Sequence, residues 1–280
     1  MSKIFSLDSS EIYIFSLIIA LGFTPASAQD REEDKARSEV EYSVAYVCDT
    51  VTGKILTDTF CLRYNDEKSL FYNKYQYEMD SLRVNDVWAW AEKAKNLLKD
   101  SPKHIIHQTY YVLVEPTYRR YTYRDNVSGN TFQFTDSIPE FTWHLTDEEK
   151  TIAGHRCKKA SCSYAGRRYE AWYALDIPVG LGPWKLCGLP GLILEAYDTD
   201  RLYTFVFIDR HPSSGNIGLL PMRHFKSTKA IYDQNLKDYL HDPLEYMATK
   251  DRSKATFKDE KIPFVQELKM KCRHQPIEIF

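Results

Sequence analysis

The chain has 280 residues, of which 43% are hydrophobic and 14% aromatic, and carries a formal net charge of −2. That balance excludes a strongly basic nucleic-acid binder and electrostatic adhesion to an anionic membrane. The 20 tyrosines against 5 methionines favour strands over helical bundles.

The first segment reads as a processing signal. Lys3 gives a weakly positive start, Ile12–Phe23 is an apolar run, and Ala26-Ser27-Ala28 supplies a small-x-small cleavage pattern. Asp8 and Glu11 are unusual for such a start and point to a start codon further downstream. Residues 1–28 are thus expected to be a signal peptide, and the mature chain to begin at Gln29. The run is too short to span a membrane, which takes about 20 apolar residues. Its removal leaves 36 basic residues against 37 acidic ones and no transmembrane segment. The expected location is the periplasm, the outer-membrane surface or the extracellular medium.

Gln29–Arg37 is charged and aperiodic, a lead-in. From Val40 the chain alternates, with Val40, Tyr42, Val44 and Tyr46 on one face, and Thr52-Gly53 turns it into a second strand, Ile55–Tyr64. Ser69–Leu98 breaks the alternation. Its later part (Val87, Trp88, Ala91, Ala94, Leu97, Leu98) has helical spacing, with Asn85 or Asp86 as N-cap. Strands are then expected at Ile105–Val114, Tyr118–Arg124, Thr131–Ser137, Phe141–Leu145, Arg156–Tyr164, Arg168–Leu175, Leu192–Tyr197 and Leu202–Ile208. Asn126–Asn130 and Ala165-Gly166 are turn signals between them. Thr228–Leu240 is a second, weaker helix, and Lys250–Lys261 a solvated loop. Closely spaced strands without intervening helices mean antiparallel pairing. The expected fold is α+β: one domain, 29–280, built on a strongly curved antiparallel sheet, a bowl or half-barrel, with one or two packed helices.

The densest turn chemistry lies in the stretch that ends in Gly188-Leu189-Pro190-Gly191-Leu192-Ile193, where Gly180, Gly182, Pro183, Gly188, Pro190 and Gly191 alternate with Leu181, Trp184, Leu186 and Leu189. Glycines and prolines set between apolar residues imply a buried, rigid loop rather than a solvated linker. The segment resembles the signature of the GLPGLI family, exported proteins of Bacteroidetes. The similarity extends to Ile152–Lys159, Gly166-Arg167, Ala171-Trp172-Tyr173, Ile177-Pro178, Gly182-Pro183, the whole run Lys185–Ile193, Lys68–Tyr72 and the terminal Gln275-Pro276-Ile277-Glu278, where Gln replaces the family's Asn. The resemblance implies export and carries over no catalytic residue.

Six cysteines fall in the exported part, which permits disulfides. Cys157 and Cys162 would face opposite sides of a strand, and Cys48 and Cys61 would be offset beyond bridging distance. Cys157 with Cys187 is the first candidate pair, and buried free thiols are the alternative. For ligand contact the candidates are Arg167, whose planar fork suits carboxylates, and Trp172 with Trp184 as a stacking platform. Against these stand an Arg that caps loop carbonyls or pairs with Glu170 or Asp176, and indoles that plug the core. Gly182, Pro183, Gly188, Leu189, Pro190 and Gly191 are expected to be structural.

His104 with His107 and His144 with His155 lack compact metal-ligand spacing, so neither a metal nor another cofactor is expected. Cys187 with His155 is a weak nucleophile pair, and Glu195 and Asp198 fall on opposite strand faces. Asn126-Val127-Ser128 is most simply a turn. The function expected from this reading is a binding or carrier module, more a non-enzyme than an enzyme, for a lipid, a peptide or an envelope protein. Its rivals are a hydrolase of peptide or glycan and a surface-assembly component. A cleft with two carboxylates would favour the enzyme, and an apolar groove the carrier.

Overall fold

Alternation from Ser38 onward produces strand after strand. The computed structural model describes residues 34–99, 108–250 and 276–278. Its strands are β1 (Ser38–Asp49), β2 (Lys54–Tyr64), β3 (Ser69–Asn73), β4 (Tyr111–Glu115), β5 (Arg120–Val127), β6 (Asn130–Ser137), β7 (His144–Ile152), β8 (His155–Tyr164), β9 (Arg167–Ala174), β10 (Ile193–Asp198), β11 (Tyr203–Pro212) and β12 (Phe225–Lys226). Helices α1 (Lys74–Asn85) and α2 (Val87–Lys99) follow β3, and α3 (Lys229–His241) and α4 (Pro243–Lys250) follow β12.

All 12 strands form one open sheet in the order β12-β6-β5-β4-β3-β2-β1-β11-β10-β9-β8-β7. Every pairing is antiparallel except β12 with β6. Three hairpins turn on residue pairs with both φ values positive: Ser128-Gly129 (50° and 80°), Ala153-Gly154 (50° and 86°) and Ala165-Gly166 (47° and 76°). This is the tight turn whose twist matches that of the flanking strands. The expected β8–β9 hairpin is present, closed by Tyr164 opposite Arg167.

The sheet is strongly curved. β5 and β9 are the third and tenth strands in its order, which in a flat sheet would place them about 34 Å apart. Yet Lys185, in the loop that leaves β9, donates from Nζ to the Tyr121 hydroxyl on β5 at 3.0 Å. Register shifts at Glu41/Tyr42 and Val47/Asp49 in β1 and at Ile193/Glu195 in β10 contribute to the bend.

The main core lies on the concave face, with Tyr42, Val44, Phe60, Phe71, Tyr110, Tyr121, Tyr169 and Phe205 all buried. A smaller core on the convex face joins Cys61, Leu70, Tyr72, Tyr111 and Ile217 to Tyr77 of α1. Asn73 caps α1 by accepting from Gln76 N at 3.0 Å. Asp86 starts α2 by accepting from Ala89 N at 3.0 Å, in agreement with the capping signal. Thr228 caps α3, whose Tyr232 packs onto the concave face.

Among these elements four were not anticipated: β3, α1, α4 and β12. β7 also continues to Ile152 where Leu145 was expected to end it. Its charged run Asp147–Lys150 looks unlike a strand because β7 is the last strand of the sheet, where charge blocks further pairing. The signal segment, His104, His107, Cys272 and most of the loop expected at Lys250–Lys261 lie outside the described residues.

Candidate functional site

Aromatic rings line the concave face in a continuous series. Tyr110 lies 5.1 Å from Phe60 and 5.7 Å from Tyr123 between ring centroids. Tyr123 continues to Phe134 at 5.3 Å and to Tyr232 of α3 at 5.5 Å. Alternation along β5 places Asp125 on the same face as Tyr121 and Tyr123, and alternation along β2 places Asp58 beside Phe60.

Of these, Tyr123, Asp125 and Tyr232 border a cavity of about 250 Å³ that Tyr46, Tyr203 and Tyr239 also line, while Asp58 lies on the same face outside its lining. Asp125 accepts from the Tyr232 hydroxyl, from Thr109 Oγ1 and from Asn126 N, each at 2.7 Å. Burial pushes its pKa up against those three donors. Asp58 is pushed up to about 6, mainly by burial, while the Gln108 backbone N–H acts in the opposite sense. Its Oδ2 is buried without a hydrogen-bond partner. Desolvation raises Tyr123, Tyr203 and Tyr232 as well, so their hydroxyls stay neutral donors. The chamber therefore offers aromatic faces, hydroxyl donors and one well-held carboxylate.

Next to the cavity the described end of the chain, Pro276–Glu278, is gripped by motif residues. Arg167 Nη2 donates to the Pro276 carbonyl at 2.7 Å, and its Nε donates to the Ile277 carbonyl at 3.1 Å. The Tyr169 hydroxyl donates to the Ile277 carbonyl at 3.1 Å. Arg167 also pairs with Asp198 at 3.2 Å, both side chains nearly inaccessible. Glu278 pairs with Lys185 and, at 2.9 Å, with Lys229. Burial pulls the Lys185 ammonium down, although Glu278 opposes it. Burial would push Glu278 up, but the two lysines hold it below the usual carboxylate range. Lys185 Nζ lies 4.3 Å from the centre of the Tyr121 ring, a cation–π contact that partly replaces lost hydration.

The signature loop is packed into the fold. Leu186, Leu189 and Leu192 are buried. Gly188 N donates to the Gly180 carbonyl at 2.9 Å, Leu192 N to Ile177 at 2.9 Å and Ile193 N to Leu181 at 3.0 Å. Gly188 takes φ +88°, whereas Gly191 is required by close approach: a Cβ there would lie 1.8 Å from the Ala174 carbonyl oxygen. Gly182 is similarly enclosed by Ile193 and the Leu186 carbonyl. Pro183 accepts at its carbonyl from Leu186 N, and Gly188 and Pro190 are the exposed residues of the run.

The three ligand candidates are placed differently from the sequence expectation. Trp184 is 2% exposed and Trp172 8%, so neither presents an open stacking face. Trp184 packs on Tyr164 and Tyr169, and Trp172 lies beneath the Lys150 ammonium. Arg167 caps carbonyls, as its alternative held, but those of Pro276 and Ile277, with Asp198 in place of Glu170 or Asp176. Cys157 and Cys187 are both free thiols, so the expected bridge is not formed. His155 pairs instead with Asp176, at 2.7 Å. Glu195 is held by Lys150 and Asp198 by Arg167, so the two carboxylates are separated. Asn126 closes its turn by accepting from Gly129 N at 2.8 Å.

Sequence reasoning missed Asp58, Asp125, Tyr232 and the grip of Lys185. The available signal was a charge on the apolar face of an alternating strand: Asp125 follows Tyr121 and Tyr123 by twos.

Comparison with known proteins adds little to this geometry. A family described as "Protein of unknown function (Porph_ging)" matches residues 164–195, the stretch that runs from the β8–β9 turn through the signature loop. No curated protein matches. Solved structures of PNGF-II in two space groups align with 71% of this chain and 32% of theirs, at 16% identity and a TM-score of 0.47. This chain thus spans about a third of that protein's length.

Proposed function

We propose that the mature chain is an exported GLPGLI-type binding module, periplasmic or at the cell surface, that holds an extended peptide on the concave face of its sheet. One observation carries the reading. The face already grips a peptide segment, its own Pro276–Glu278, through backbone carbonyls and one carboxylate. Pro276 and Ile277 also line the cavity, so a second segment entering there would continue the same surface. Tyrosine faces and hydroxyls beside a carboxylate suit side chains and amides alike.

Titration of the full mature protein with a library of short peptides, followed by tyrosine fluorescence, tests this reading. Asp125→Asn and Tyr232→Phe should weaken binding about tenfold, as loss of a hydrogen bond to a charged group implies. They should also lower the melting temperature because they break the buried Tyr232–Asp125 bond, so affinities are compared well below it. Absence of any peptide response, or a reproducible bound lipid in protein recovered from the cell envelope, would overturn it.

A hydrolase of peptide or glycan is the second reading, favoured by one observation. Asp58, with its pKa near 6 and an unpartnered oxygen, has the character of a general acid on the same face as Asp125. Hydrolysis of a library peptide that Asp58→Asn abolishes would establish it.

A further inference from the structure

On the convex face, away from the cavity, four side chains from three adjacent strands converge. Glu39 and Glu41 lie on β1, Cys61 on β2 directly opposite Glu41, and His211 on β11 directly opposite Glu39. Residues opposite one another on a sheet face have Cβ atoms about 5 Å apart, close enough to share one ligand. The ligand atoms of Glu39, Glu41 and Cys61 all lie within 4.8 Å of one another. His211 Nε2 is 3.9 Å from Oε1 of Glu39 and 3.9 Å from Oε1 of Glu41. We infer that these four residues form a site for a zinc-class divalent cation that ties the three central strands together.

Three features support a cation rather than direct contacts. First, the His211 distances are too long for hydrogen bonds, but neighbouring donor atoms of a tetrahedral zinc site lie about 3.3–3.7 Å apart. The carboxylates therefore need draw in only slightly, and the part-exposed His211 ring would turn in to complete the shell. Second, His211 Nδ1 is 3.1 Å from the Pro212 carbonyl, which can only accept. The ring's Nε2 is the nitrogen turned toward the two carboxylates. A backbone carbonyl on the far nitrogen is the usual way a ligating histidine is oriented.

Third, Glu39 is held as a ligand would be. Its side chain is 9% exposed, and Oε2 accepts from Arg63 Nε and, at 3.0 Å, from the Tyr72 hydroxyl. Among the described residues Oε1 accepts no hydrogen bond, and it faces His211. Two carboxylates and a buried thiol within 4.8 Å of one another, with the His211 imidazole against the carboxylates, make a mixed N, O, S donor set, which zinc prefers over magnesium or calcium.

The charges balance. On binding, the Cys61 thiol gives its proton to solvent and becomes a thiolate, since a coordinated thiol ionises outright. The half-exposed Lys74, which pairs with Glu41 Oε1, swings into water. Arg63 stays on Glu39 and offsets the third negative charge. His211 and Lys74 stand on the accessible side and leave an entry path. Sequence reading excluded a metal because it sought compact spacing, and this set draws on positions 39, 41, 61 and 211.

The test uses the full mature protein with zinc and cobalt ions as probes. Wild type should bind one zinc ion in competition with a chelator and melt higher with it. Cobalt should give a near-ultraviolet thiolate-to-metal absorption band, which Cys61→Ser removes. Partly exposed His211→Ala should fold normally and weaken zinc binding at least about tenfold, and Tyr72→Phe about tenfold through the freed Glu39. Wild type that binds no zinc, a cobalt band that survives Cys61→Ser, or unchanged affinity in His211→Ala would each overturn the site.

Discussion

A Cβ added to Gly191 would lie 1.8 Å from the carbonyl oxygen of Ala174. No side chain can occupy that space unless the loop lifts from the end of β9. Next to it, Ala174 N donates to the Leu192 carbonyl at 2.8 Å, and that bond would be lost with the lift. Gly191→Ala should therefore destabilise by about 1–3 kcal/mol from overpacking, and more if the bond breaks. Gly188 is a useful contrast. Its φ is +88°, with only the Trp143 indole nitrogen nearby at 3.9 Å, so Gly188→Ala meets only the backbone penalty, about 1–2 kcal/mol. Leu189→Ala should cost about 2–5 kcal/mol, since Leu189 is buried. Urea denaturation ranks the three. A wild-type midpoint for Leu189→Ala would mean that the loop is not a plug.

The grip of Lys185 on Glu278 gives a second expectation. Glu278→Gln strands an ammonium that is 4% exposed, with Tyr121 as its remaining partner. Breaking a buried pair from one side costs about 3–5 kcal/mol. Lys229 is spared because it also pairs with Asp233 at 2.6 Å. The double variant Lys185→Met/Glu278→Gln should be more stable than Glu278→Gln alone. A double-mutant cycle should give a coupling of about 1–3 kcal/mol. Additive effects would show that this pair does not hold the end of the chain in place.

Much of the strand pattern was legible because burial on one face imposes a period of two, and two-residue turns such as Ala165-Gly166 have their own chemistry. α1 was not, for a physical reason. Its apolar residues Tyr75, Tyr77 and Met79 alternate as a strand would, and tertiary contact with Tyr72 and Tyr111 decides the outcome. The trapped loop could be read from glycines among leucines. The chamber could not, because Tyr46, Asp125 and Tyr232 are separated by 79 and 107 positions, and only the curvature of the sheet brings their elements to one concave face. Arg167 and Lys185 were visible as motif residues, but the segment they hold lies about 90 or more residues further on.

The processing site offers a third check. If the Ala26-Ser27-Ala28 pattern is cut, protein recovered from the cell envelope should begin at Gln29. Intact mass with N-terminal sequencing reads this directly. A mature chain that retains Ile12–Phe23 would contradict export by a cleaved signal.

Asp58 makes stability depend on pH in a direction opposite to that of an ordinary paired carboxylate. Its folded-state pKa of about 6 lies above that of an unfolded aspartate, about 3.9. Between these values the folded state binds the extra proton. Its contribution to stability is thus greatest below about pH 4, falls as pH rises through the window and levels off above about pH 6. At neutral pH the buried charge costs at most about 3 kcal/mol, and less to the extent that solvent reaches the side chain. Asp58→Asn keeps the shape and removes the charge. It should match wild type near pH 4 and exceed it at pH 7 in urea denaturation, with the gap opening between those values. A gap that closes as pH rises would reverse the sign and show that Asp58 is stabilised as an anion.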